Sequence, residues 1–163
     1  MIYVRIAYNY CKIEVNFELW SCIQNKFVPV TALLDTGAAI SHITPIVMKN
    51  LGYSVNDIIS TVHGFDGKDV KVNNTVIDNF RMDGVELGPI AFHVSDLSAT
   101  SNSIILGYNV LKEFNFSVNF EKNLLSLDPR PSFKEIKTIK NFSINSDQFG
   151  LYHIDVKKKS GKE

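Results

Sequence analysis

Cysteine, tryptophan and net charge are what this chain has least of: two cysteines, one tryptophan, and 17 basic against 17 acidic side chains in 163 residues. Balanced charge removes the whole-molecule field that draws polyanions, so nucleic acid is not an expected partner. Cys11 and Cys22 lack a secretory context, and reduced thiols are the expectation. Neither shares a metal-ligand spacing with His42, His63, His93 or His153, so no metal site is expected, and each histidine reads as a surface or satisfied core residue. No apolar run approaches the roughly 20 residues that cross a bilayer. Met1 to Tyr10 lacks the basic start and long apolar centre of a signal peptide. A cytoplasmic protein without a membrane partner is the expectation.

What is present is an ordinary globular composition, 45% hydrophobic and 21% charged, at a length that supports one core but not a second full domain. The segment KIEVNFELW alternates strictly, with Ile13, Val15, Phe17 and Leu19 on one face, as a half-buried strand does. Further strand-like runs cover 2–8, 27–34, 57–63, 68–77, 90–94, 103–106, 116–120 and 123–127. Short strands separated by turns predict an all-β sandwich or barrel. One short helix is predicted in ITPIVMKNLGY, with Thr44 at the N-cap, Pro45 first in the helix and Gly52 past its end. Another turn or two is predicted after Gly107, where Val110, Leu111 and Phe114 share a face.

Prolines 129 and 131 in DPRP cannot continue a central strand, which sets a domain of residues 1–128 and an extension of 129–163. After residue 131 there are seven lysines against four acids, and the chain ends KKKSGKE. That end is expected to be frayed, although 142–144 and 151–156 each read as a possible strand.

The stretch ALLDTGAAIS, 32–41, drives an apolar run straight into an acid. An unpaired buried carboxylate costs several kcal/mol, so it needs donors or a partner. Thr36 and Gly37 supply them: a hydroxyl, turn amides and the torsional freedom of glycine. An ordinary Asx turn fits the same triplet. The context that favours the buried acid is the small pair Ala38-Ala39 after it and a second apolar strand, Ile104-Ile105-Leu106-Gly107, about seventy residues on.

These pieces, in this order, resemble the retropepsin-like aspartic proteases. ALLDTGAAIS carries the Asp-Thr-Gly of that family, HGFDGK fits its flap hairpin, SIILGYNVLKEF fits its apolar-apolar-glycine strand and helix, and NFSVNFEKNLLSL resembles its closing strands. The resemblance spans roughly residues 11 to 128. It implies a single-lobe, closed β-barrel with one or two short helices, paired as a two-fold homodimer.

It also implies a mechanism. Peptide hydrolysis needs two carboxylates about one water, one ionised and one protonated, and such a pair titrates as a unit. The other acid-glycine steps, Asp66-Gly67 and Asp83-Gly84, do not follow apolar strands, so one chain supplies one half-site, and the resemblance implies a two-fold dimer that places Asp35 beside Asp35 of a second copy. Thr36 would lock the two loops across the axis and Gly37 would allow their approach. Ala38, Ala39 and Ile105 would line the groove, with Gly64, Phe65 and Gly67 in a flap closing over an extended peptide or protein substrate. No cofactor is implied. Tyr108 and Asn109 stand where retroviral members have arginine and many single-lobe relatives aspartate, and Ala39 replaces an acid, so the braces of this loop must differ. Two alternatives stand beside the endopeptidase: an inactive dimer of the same fold that binds peptide as a scaffold, and a monomeric barrel in which Asp35 is a turn.

Overall fold

The computed structural model describes residues 1–9, 12–63, 67–96, 103–129, 142–146 and 152–156. Among these, strands dominate. β1 (Ile2–Asn9) buries Ile2, Val4 and Ile6, and β2 (Lys12–Ser21) buries Val15, Phe17 and Leu19, as the alternation predicts. β3 (Lys26–Leu34) returns along β2 from a turn at Asn25, whose φ is +50°. β4 (Ser41–Ile43) is an addition to the predicted strands; three residues are too short to show a period.

Helix α1 (Pro45–Asn50) starts and ends where expected. Thr44 holds the extended N-cap conformation without a side-chain cap bond, and Gly52 follows at φ +92°. A Cβ on Gly52 would lie 2.9 Å from the Ile23 side chain, so glycine is needed there for space as well as torsion.

β5 (Ile59–His63) and β6 (Asp69–Met82) form an antiparallel hairpin, and β6 and β7 (Val85–Val94) form another. Both run past the predicted 68–77 and 90–94. Their outer halves hide because the register shifts between Ile77 and Arg81, which breaks the alternation. Asn79 patches the irregularity, accepting from Gly88 N–H at 3.0 Å and donating to Glu86 at 2.7 Å. Asp83-Gly84 makes the tight turn, with φ of +49° and +75°.

β8 (Ile104–Leu106), α2 (Tyr108–Leu111), β9 (Phe114–Asn119) and β10 (Leu124–Pro129) complete this unit. Pairing runs β5-β6-β7-β4-β8-β3-β2-β1-β10-β9, and β6 also meets β2 at Glu18↔Arg81 and Leu19↔Phe80. The core between includes Val15, Leu19, Ile43, Ile77, Met82, Phe92, Leu106 and Leu125, each essentially solvent-free. Burial of side chains of this kind contributes about 1.5–3 kcal/mol apiece. β11 (Phe142–Ser146) and β12 (Tyr152–Val156) pair only with each other among the described residues. The lysine-rich end expected to fray lies outside the described residues.

Candidate active site

β3 delivers its last residue beside β8, parallel to it at Leu33↔Ile105 and Leu34↔Leu106. Asp35 continues the pairing by donating its N–H to Leu106 O at 3.0 Å, and the chain then turns. The Asp35 carboxylate is half-buried and accepts the Gly37 N–H at 2.9 Å. The Asx hydrogen bond is therefore present, but at the end of a core strand rather than in a free surface loop. Thr36 and Gly37 are exposed at the tip, and among the described residues the Thr36 hydroxyl gives Asp35 no second donor. A Cβ on Gly37 would lie 3.2 Å from Asp35 Oδ1, tighter than most such contacts.

The far side of the turn is strapped to the segment after β8. Tyr108 N–H donates to Ala38 O at 2.7 Å and Asn109 N–H to Ala39 O at 3.0 Å. That approach requires Gly107, because a Cβ there would sit 2.6 Å from Ala38 O and 2.9 Å from the Ile40 carbonyl carbon. Its φ of −101° is ordinary, so the requirement is steric and not torsional. Behind the strap a polar network is satisfied throughout. Gly107 N–H donates to Ser41 Oγ at 3.0 Å, Ser41 donates through N–H and hydroxyl to Asn109 Oδ1 at 2.8 and 2.7 Å, and Asn109 Nδ2 donates to Ala91 O at 3.0 Å. Asn109 thus braces the loop within one chain. In the sequence Asn109 stands out as a departure from the family pattern and Ser41 carries no mark; a polar residue inside an apolar helix turn is the available signal.

One further pair went unread. His42 and His93 are register neighbours on β4 and β7, their rings edge to face at 5.2 Å. His42 Nδ1 lies 3.0 Å from Ser95 Oγ. Burial first, then His93, holds His42 below the ordinary imidazole range, while the Asp35 carboxylate pulls it upward. Burial lowers His93 as well, and its Nδ1 is enclosed without a hydrogen-bond partner among the described residues. His93 is therefore an unsatisfied core histidine, contrary to the expectation, and neither ring is isolated.

Of the predicted groove residues, Ala38 and Ala39 are half-buried on the turn and Ile105 is buried in β8 beside them. Gly64 and Phe65 lie outside the described residues. Gly67, at φ +74° and exposed, stands just before β6, and the pairing His63↔Asp69 confirms a hairpin around it. A depression of about 320 Å³ beside α1, lined by Thr44, Val47, Asp96 and Ser103 among others, does not include Asp35. Cys22 is free and exposed, and Cys11 lies outside the described residues. No helix among the described residues is long and apolar enough to cross a membrane.

Comparison with known proteins points the same way as the geometry. Uncharacterized protein 7 of Soybean chlorotic mottle virus is 29% identical over 126 residues, covering 77% of this chain and 78% of that protein. The crystal structure of a retropepsin-like aspartic protease from Rickettsia conorii shares the fold at a TM-score of 0.52 and 21% identity, over 76% of this chain and 87% of that one. The profile of the family described as gag-polyprotein putative aspartyl protease matches residues 22–113, a span that runs from just past β2 to two residues beyond α2 and holds both Asp35 and Gly107. The chain belongs to that retropepsin-like aspartic protease family.

Proposed function

We propose that the chain is an aspartic endopeptidase that works as a two-fold homodimer, with Asp35 of each copy forming the acid–base pair. The observation that carries this reading is a half-buried Asp35 held by Leu106 O and Gly37 N–H, with Thr36 and Gly37 left exposed at the tip. A partner loop has room to approach there. Among the described residues Asp83-Gly84 is spent in the β6–β7 turn, so a second carboxylate has to come from another copy. Between two such groups a water loses a proton to the ionised carboxylate while the protonated one polarises the scissile carbonyl.

The return of β6 onto β2 supports a closed barrel. The β5–β6 hairpin serves as the flap, and the exposed Ile58 and Ile59 at its base and Val70 near its tip favour an extended, partly apolar polypeptide as the substrate. A cytoplasmic setting belongs to the same proposal, on the ground of two cysteines without a secretory context.

Light scattering across protein concentration, and digestion of a mixed peptide library from about pH 3.5 to 7 by the wild type and Asp35→Asn, test the proposal. Dimers and cleavage abolished in Asp35→Asn are expected. A strict monomer, or cleavage retained in the variant, would refute it; dimers without cleavage by either protein would leave a peptide-binding scaffold.

A further inference from the structure

Residues paired across adjacent strands put their side chains on one face of a sheet. The registers Leu33↔Ile105, Ile105↔His42, His42↔His93 and His93↔Asn74 therefore place these five residues in one row across β3, β8, β4, β7 and β6. Their chain neighbours Ile104, Ile43 and Val94 face the opposite way, into the core. Alternation along β3 sets Asp35 on the Leu33 side, and its carboxylate acts electrostatically on His42. At the other end Asn74 ties down β5, donating to Ile58 O at 2.8 Å and Ser60 Oγ at 3.0 Å. The row is thus a path from the acid to the root of the flap hairpin, and two imidazoles stand in the middle of it.

Apolar residues there would pack without penalty. An enclosed imidazole nitrogen without a partner is costly, and among the described residues His93 Nδ1 is one, on a residue only 9% exposed. His42 is oriented by Ser95 through Nδ1, which leaves Nε2 for another group. A neutral imidazole carries one donor and one acceptor nitrogen. A primary carboxamide also carries both. A carboxylate only accepts, and it would share this face with the Asp35 charge; an aliphatic group would leave the ring nitrogens unpaired.

We infer that His42, backed by the enclosed His93 ring, forms a polar subsite beside Asp35 that takes a carboxamide side chain, asparagine or glutamine, of the polypeptide substrate. This rests on the endopeptidase reading and specifies its substrate. The test is a set of peptides that differ only in Gln, Glu or Leu at each position flanking the scissile bond. kcat/KM is measured for the wild type, His42→Val, His42→Gln, His93→Leu and Asp35→Asn, with thermal melts to verify folding. At one position the wild type is expected to favour Gln over both Leu and Glu by about ten-fold or more, since a site built to hydrogen-bond rejects analogues that cannot. His42→Val and His93→Leu should lose or invert that preference, and His42→Gln should keep it.

Equal Gln-to-Leu ratios in the wild type and His42→Val, with cleavage still abolished in Asp35→Asn, would overturn the subsite and leave the endopeptidase standing. A preference for Glu would overturn the carboxamide assignment, and an unchanged preference in His93→Leu would remove His93 from the subsite. No cleavage of any peptide by the wild type would sink both readings together.

Discussion

Asn109 Oδ1 accepts two hydrogen bonds from Ser41, one from its N–H at 2.8 Å and one from its hydroxyl at 2.7 Å, across 68 positions of sequence. Ser41 is fully buried, so without that oxygen two donors lose their acceptor in the interior. Asn109→Ala is expected to lower unfolding free energy by about 2–4 kcal/mol, measured by urea denaturation. Asn109→Asp keeps the acceptor but loses the bond to Ala91 O, and should cost less. Equal losses in the two variants would contradict this account.

Gly107→Ala should be worse for function than for folding. Its methyl would meet Ala38 O at 2.6 Å, so the Asp35 turn has to move away from α2 or the strap has to open. Expected are a stability loss of about 2 kcal/mol or more and cleavage activity reduced beyond detection. A variant as active as the wild type would show that the strap does not position Asp35.

The histidine pair makes stability pH-dependent. Both rings have folded-state values below the unfolded value of about 6.5. Below that value the unfolded chain binds protons that the folded chain refuses, so stability is full above about pH 6.5 and falls as the pH drops toward the folded-state values. Thermal midpoints should decline from about pH 7 to 5, and His93→Leu should flatten that decline. An unchanged slope in His93→Leu would assign the acid sensitivity elsewhere.

The contact that brings β6 back to β2 is held at the surface by Arg81 and Glu18, paired through two nitrogen–oxygen contacts of 2.6 and 2.7 Å, with the guanidinium 4.4 Å from the Phe27 ring centroid. Arg81→Lys keeps the charge but cannot make the fork. Its urea midpoint should fall slightly, and high salt should narrow the gap from wild type because both partners are about one-third exposed. A gap that widens with salt would exclude the ion pair as its cause.

Local signals made part of this molecule readable in advance. Strict alternation exposed β2, Pro45 and Gly52 bracketed α1, and the Asp-Thr-Gly and Ile-Ile-Leu-Gly stretches identified the two segments that meet at Asp35. What escaped has physical causes. β4 holds three residues and therefore no period, although it is the strand that carries Ser41 and His42. The outer part of β6 loses its alternation at the register shift after Ile77. The contacts of Asn109 with Ser41 and of His42 with His93 depend on strand order, which no single segment encodes.

The three residues of β8 are isoleucine, isoleucine and leucine, so a slip of one position would trade one greasy set for another at little cost in burial. Hydrophobicity alone leaves the strand free to slide. What indexes it is the next position, where the carbonyls of Ala38 and Ile40 crowd in and neither Leu106 nor Tyr108 would fit in place of Gly107. A single hydrogen where other residues carry a side chain therefore determines that Ile105, and neither of its neighbours, takes the sheet face shared with the acid.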